Sequence, residues 1–222
     1  MEYENKNGIW CRSDTTDLKV VDEIYKRKVY EKPSLGFVIE PTDVWLDCGC
    51  NIGTFSLYAR RKGARTIAYE PEPDNIQMCH RNGITDVQPF GLAVTGGQVD
   101  LYMAKSRQDR YTHTICKRRG RPTIQITVVP FDSVISNREI TAVKMDIEGA
   151  EITILESQVD WYNIKKLVVE YSFNVDPSIP RFLAIIDKLK QTFSMVHYTK
   201  VKPTEQYYTY FPRQCMIYCS RK

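Results

Sequence analysis

The sequence predicts an α/β fold, with a mostly parallel seven-stranded sheet, helices on both faces and an antiparallel edge strand. Three observations predict it. Short β-rich apolar runs alternate with amphipathic segments of helical length between residues 44 and 170, the pattern of βαβ units. A glycine turn, Gly49 to Gly53, joins the first of these runs to a helical segment. Four of the runs end in a carboxylate, at Asp47, Glu70, Asp146 and Glu170.

Taken in order, residues 14–32 open on an Asp/Thr cap and carry Leu18, Val21, Ile24 and Tyr25 at helical spacing, with Pro33 closing the helix. Residues 1–42 are therefore expected to form a helical extension packed on a domain spanning 43–222. Within that domain, strands are expected at 44–47, 66–69 and 87–90, with helices at 54–62 and 74–82 between them. The rhythm then changes. Residues 99–103 and 123–129 are both β-rich and predict a hairpin whose long loop spans 104–123; a loop of that length in a compact domain is usually functional. Strand, helix, strand and helix resume at 142–145, 150–156, 167–170 and 180–192. Residues 195–200 and 215–219 read as a closing antiparallel pair joined by a loop bearing Tyr207, Tyr208, Tyr210 and Phe211.

Bulk properties narrow the class. A 222-residue chain with 42% hydrophobic and 26% charged residues buries an ample core without metal or disulfide. No apolar run reaches the roughly 20 residues of a membrane-spanning helix, and residues 1–7 lack the apolar stretch of a secretory signal. The seven cysteines are scattered without zinc spacing, so incidental thiols in a reducing, cytoplasmic setting are expected. The net charge of +4 is local rather than general: between Lys105 and Pro122 stand Lys105, Arg107, Arg110, Lys117, Arg118, Arg119 and Arg121 against Asp109 alone. That segment reads as a lid over an anionic acceptor, a phosphate footprint for nucleic acid, or a solvated hairpin tip.

The chemistry concentrates in three runs. In the first, Asp47-Cys48-Gly49-Cys50-Asn51-Ile52-Gly53, glycines let a ligand approach the backbone at a helix N-terminus. A third glycine for a pyrophosphate is lacking, so a ligand with a carboxylate and an amine fits the turn better. In the second, Tyr69-Glu70-Pro71, Glu70 follows Asp47 by 23 residues at the tip of the next strand, placed to accept ribose hydroxyls. The third, Lys144-Met145-Asp146-Ile147-Glu148-Gly149-Ala150-Glu151, ends another strand in carboxylates just before a helix. Ligands of open α/β sheets bind outside the carboxyl ends of the strands, so all these groups are expected on one rim.

The runs LDCGCNIGTFSLYARRKGARTIAYEPEPDN and VKMDIEGAEITILE, with FDSVI before the second, resemble the FkbM-type family of class I S-adenosylmethionine-dependent methyltransferases, across roughly residues 43–170. Cys50 stands where that family usually has alanine. The resemblance implies a Rossmann-like class I methyltransferase fold. It implies that Asp47, Gly49, Cys50, Asn51 and Gly53 surround the methionine half of the cofactor. Glu70 and Pro71 would hold the ribose, residues 90–93 including Ala93 would flank the adenine, and Asp146 and Glu148 would face the sulfonium and the acceptor. The implied reaction is methylation of a hydroxyl oxygen, often on a sugar or polyketide-like acceptor.

A hydroxyl acceptor gains from a base, for which Asp146, Glu148 and then Glu170 are the candidates, with His113 in the basic loop as a further one. His80 and His197 read as structural. A divalent cation held by the carboxylate rim stands as an alternative. So do an RNA methyltransferase using residues 105–122 for phosphate contacts and a non-catalytic cofactor-binding module. The acceptor's identity and the oligomeric state are not encoded in any motif.

Overall fold

A computed structural model describes residues 2–104, 113–199 and 214–221. At its centre is a six-stranded sheet ordered β10-β11-β9-β8-β3-β4. The strands are β3 (Val44–Cys48), β4 (Arg65–Tyr69), β8 (Ala142–Met145), β9 (Lys166–Tyr171), β10 (Met195–Tyr198) and β11 (Cys215–Ser220). Strands β9, β8, β3 and β4 are mutually parallel, and β11 runs antiparallel to both of its neighbours. The antiparallel strand is thus one place in from the edge, not at it; β10 forms the edge and runs with the parallel set.

The expected strand at 87–90 shrinks to a single bridge, Tyr69 to Gln88. The next donor, the Phe90 N–H, turns back across Pro89 to the Gln88 carbonyl at 2.9 Å instead of pairing with β4, so six strands are formed where seven were expected. A separate three-stranded sheet contains β5 (Gly91–Ala93), β6 (Gly97–Tyr102) and β7 (Thr123–Pro130) in the order β5-β7-β6. Its antiparallel β6–β7 ladder is the expected hairpin.

Side chains alternate across a strand, and this parity divides the core. Leu46, Val143, Met145, Leu167, Val169 and Ile217 face one side. There they pack on α4 (Phe131–Ile135), α5 (Ala150–Glu156) and α6 (Ile179–Thr192). Trp45, Ala142, Val168 and Tyr218 face the other, covered by α1 (Asp17–Tyr25) and α2 (Thr54–Arg61), with α3 (Pro73–Arg81) beside them. Asp47, Lys144 and Glu170 share the parity of this second set.

The N-terminal segment departs from its expected helix. It opens with a hairpin, β1 (Tyr3–Lys6) and β2 (Ile9–Arg12), turned at Asn7 and Gly8 with φ of 55° and 73°. Both central residues at positive φ are the requirement of a two-residue hairpin loop, which Asn-Gly meets best. Helix α1 then stops at Tyr25 rather than running to residue 32. Tertiary contacts claim the continuation: the Tyr218 hydroxyl donates to the Val29 carbonyl at 2.6 Å and the Tyr30 hydroxyl to Asp146 at 2.8 Å. Lys28, at φ 52°, turns the chain between helix and anchor.

Candidate active site

A cavity of about 730 Å³ opens at the carboxyl ends of β3, β4, β8 and β9, where Gly49, Glu70, Asp146 and Glu170 line it. The turn after β3 is the tightest part. Gly49 has φ 74°, and a Cβ there would lie 2.2 Å from the Asp146 carbonyl oxygen, so only glycine fits. Asn51, at φ 53°, donates its backbone N–H to Glu70 Oε2 at 2.9 Å. Its side-chain Oδ1 and the Thr54 hydroxyl are buried without a hydrogen-bond partner among the described residues, and both residues line the cavity. Buried polar atoms of this kind call for a ligand group.

Glu70 is held in place rather than merely exposed at a strand tip. Its Oε1 accepts the Glu72 N–H at 3.0 Å and the Asn75 amide at 3.4 Å. Burial pushes its carboxyl up to about 7, against the lowering effect of these donors. The Glu72 N–H and the Asn75 amide take both lone pairs of Oε1, whereas Oε2 accepts only the Asn51 N–H and keeps one lone pair for a ribose hydroxyl.

Beneath the turn lies a buried cation that no motif reading had given a role. Lys144 donates to the Gly49 carbonyl at 2.7 Å and sits 3.1 Å from Asp47 Oδ1 and 3.8 Å from Asp146 Oδ2. Burial favours its neutral form, but Asp47 and Asp146 outweigh burial and hold the ammonium above its ordinary range. Asp47 also accepts from the Ser56 hydroxyl at 2.7 Å.

Several expected cofactor residues do not line the cavity. Asp47 is fully buried under the turn and acts through Lys144. Gly53 begins α2 at φ 82° against Ile84 and Cys79. Ala93 packs with Leu101, Ile126 and Val128 in the small sheet, because on β5 it points away from its neighbour Leu92, which does line the cavity. Gly49, Cys50, Asn51, Glu70, Pro71 and Asp146 do line it, as do Phe90 and Gly91. Cys50 lies 3.6 Å from Cys79, sulfur to sulfur.

The three expected bases come together. Asp146, Glu148 and Glu170 all line the cavity. Glu148, at φ 53°, and Glu170 are both raised well above the ordinary carboxylate range, by burial first and then by Asp146. Among the described residues, no group of three His, Cys, Asp or Glu side chains is placed to hold a metal ion. His113 also lines the cavity, its Nδ1 accepting the Ala104 N–H at 3.0 Å, whereas His80 lies exposed on α3 and His197 in β10.

Two further residues were missed in the sequence. The Thr114 hydroxyl donates to the Glu148 carbonyl and bridges the hairpin to the site. Tyr30 caps Asp146, and burial first, then Asp146, raises its phenol well above the ordinary range. Replacing Tyr30 by phenylalanine removes that one bond, so a modest stability loss of about 1 kcal/mol is expected in urea denaturation. A loss above 3 kcal/mol would show that Tyr30 carries more than this bond.

The buried carboxylates also set a pH dependence. Glu151, whose oxygens accept the Gly149 and Ser172 N–H groups, is like Glu70 pushed up to about 7 by burial. Both hold a proton more tightly folded than unfolded. Their stabilising contribution is complete below pH 4.5 and is lost as pH rises through 7. The ligand-free protein is expected to lose up to about 1.4 kcal/mol per pH unit for each such group between pH 5 and 7. A denaturation midpoint that climbs across that window would contradict this. Groups with lowered values, such as Glu31 beside Lys62 and Asp176 beside Arg181, act only below about pH 4.5.

Of the basic hairpin segment, residues 105–112 lie outside the described residues, as does the aromatic loop at Tyr207, Tyr208, Tyr210 and Phe211. Within the described part, Arg118 donates to the Asn174 carbonyl at 3.0 Å, and the charge of Arg121 offsets a small part of the rise at Glu148. Lys117 and Arg119 are exposed. No helix among the described residues is long and apolar enough to cross a membrane.

A family model described as a methyltransferase FkbM domain matches residues 47–195. The chain is similar to the methyltransferase sdnD of Sordaria araneosa, at 23% identity over 197 residues, covering 68% of this chain and 73% of that protein. Among solved structures, it is similar to the precorrin-6y C5,15-methyltransferase of Geobacter metallireducens GS-15, with TM-score 0.46 and 12% identity over 100% of this chain and 94% of that one. It is also similar to P. horikoshii TYW2 in complex with MeSAdo, with TM-score 0.42 and 14% identity over 98% of this chain and 69% of the other.

Proposed function

We propose that this chain, which belongs to the FkbM methyltransferase family, transfers the methyl group of S-adenosylmethionine to a hydroxyl oxygen, most readily that of a sugar or glycoconjugate. When bound, the cofactor supplies an electrophilic methyl group on a cationic sulfonium. The residues fit such a ligand: Asn51 Oδ1 and Thr54 Oγ1 offer unused acceptors beside the Gly49 turn, and Glu70 offers its carboxylate to the ribose.

The observation that carries the hydroxyl reading is the carboxylate group of Asp146, Glu148 and Glu170 on the cavity floor. A neutral hydroxyl is a poor nucleophile, and a base whose pKa lies near the working pH serves it best. Burial and mutual repulsion raise Glu148 and Glu170 toward that condition. The same surplus of negative charge favours a cationic ligand at the floor, and its arrival would help both groups release their protons. Asp146 is committed to Lys144 and Tyr30, which leaves Glu148 and Glu170 as the bases of choice.

The RNA reading has less support, because Arg118 already spends its guanidinium on the Asn174 carbonyl. The paired carboxylates also favour a catalyst over a passive cofactor-binding module. Seven cysteines, none of them in a disulfide, suit a reducing, cytoplasmic setting.

The test is transfer of radiolabelled methyl from S-adenosylmethionine to a panel of hydroxylated sugars, with Glu148→Gln and Glu170→Gln beside the wild type. An alkali-stable ether product is expected, with kcat reduced about a hundredfold in at least one variant and cofactor affinity held within a few fold. Label recovered on nitrogen or as a base-labile ester, or a wild type that fails to bind the cofactor, would defeat the proposal.

A further inference from the structure

The cavity has two walls of opposite charge, and the cofactor accounts for only one. Its floor carries Asp146, Glu148 and Glu170, whereas the wall built by α1 and the segment after it carries Lys19, Glu23, Arg27, Lys28 and Lys32. Glu31 adds little charge there, since its carboxylate is 2% exposed and enclosed by Lys62, the Tyr58 hydroxyl and the Ile39 N–H. Glu23 lies between Lys19 at 3.8 Å and Arg27 at 3.9 Å, one carboxylate shared by two cations. Lys28 and Lys32 form no ion pair with any described residue. The wall therefore brings surplus positive charge to the cavity that also holds the acidic group.

Lys28 has a second distinction. It holds φ 52° just beyond the helix, a position where glycine or asparagine is ordinarily favoured. A turn needed only to reverse the chain is better served by glycine, and strained backbone retained with a charged side chain gathers at ligand sites.

We propose that this wall is an anion subsite: Lys28 and Lys32 take the phosphate or carboxylate group of a hydroxyl-bearing small acceptor and aim its hydroxyl at the acidic floor. The inference rests on the reading that the floor end of the cavity holds the cofactor. The division of charge gives each ligand its own partners, the carboxylates for the cationic cofactor and the lysines for the anionic acceptor. It also keeps the acceptor's anionic group away from Glu148 and Glu170, where like charge would repel it.

The test uses the full chain saturated with S-adenosylhomocysteine, with inorganic pyrophosphate and citrate titrated by calorimetry at fixed ionic strength. At least one anion is expected to bind, and Lys28→Gly and Lys32→Gln are each expected to weaken it about tenfold. Lys28→Gly is the discriminating variant. It relieves the positive φ, so its melting temperature should hold or rise while anion affinity falls, a split that a purely structural lysine cannot give. Preference for pyrophosphate assigns a phosphate-bearing acceptor, and preference for citrate a carboxylate. The proposal is overturned if neither anion binds, or if both variants bind as the wild type does. A single-stranded oligoribonucleotide that binds far more tightly, with steep salt dependence, would overturn the small acceptor in favour of RNA. Failure of S-adenosylhomocysteine to bind would sink the cofactor reading as well, and is seen separately before any anion is added.

Discussion

Replacing Lys144 with methionine is expected to destabilise the protein by about 3–5 kcal/mol, the usual cost of breaking a buried ion pair from one side. Lys144 is 3% exposed and Asp47 is fully buried. Without the ammonium, Asp47 keeps only the Ser56 hydroxyl at 2.7 Å, and the Gly49 carbonyl loses its donor at 2.7 Å. Methionine fills the space but satisfies none of these groups. The loss should appear in urea denaturation as a lower midpoint with an unchanged slope. Converting both partners, Lys144→Met with Asp47→Leu, should recover part of it, because two apolar groups leave no uncompensated charge. A single-variant loss below 1 kcal/mol would mean that water reaches Asp47 and that the turn does not depend on the pair. Cofactor affinity should fall together with stability, since the ammonium anchors the Gly49 carbonyl from below.

The central sheet and its rim of carboxylates were legible because β3, β8 and β9 are short, β-rich and have a carboxylate within one residue of their carboxyl ends. Strand parity explains what was misjudged. Asp47 and Lys144 are register partners on adjacent parallel strands and share a face, so Asp47 is neutralised by Lys144 beneath the turn and does not line the cavity itself. The sequence showed both residues but not their pairing, which depends on β8 lying next to β3 across nearly a hundred intervening residues. Ala93 fails for a related reason: one residue along β5 reverses the face.

The N-terminal segment was the least legible part. Its hairpin did carry a signal, Asn7-Gly8, which the polar surroundings of Glu4, Asn5 and Lys6 obscure. Tyr30 carried none, since its helical spacing continues that of α1. Only the competing anchors, Asp146 for its hydroxyl and Tyr218 for the Val29 carbonyl, decide that the helix ends early and that the wall of the cavity begins there. The expected strand at 87–90 was lost to Pro89, a breaker visible in the sequence and outweighed there by Val87 and Phe90.

Glu70→Gln is expected to weaken S-adenosylmethionine binding about a hundredfold while leaving the fold near its original stability. A ribose hydroxyl donating to an ionised acceptor is worth about 1.5–3 kcal/mol, and the amide carries no charge and one acceptor oxygen in place of two. Its NH2 must also face either the Asn51 or the Glu72 N–H, both of which now donate to the carboxylate, so a donor meets a donor at one end. Against that cost, glutamine removes a carboxylate that burial already pushes up to about 7, and above pH 7 the fold no longer has to hold that charge out of water. The two contributions offset in the free protein, and the net effect falls on the ligand. The pH profile separates this account from simple damage to the turn. In the wild type, ribose recognition needs the carboxylate ionised, so affinity should fall up to tenfold per pH unit below about 7. The glutamine variant has no proton to take up at this position, so its lower affinity should lack that slope. A variant that binds within fivefold of wild type, or that keeps the full pH slope, would place the ribose elsewhere in the cavity.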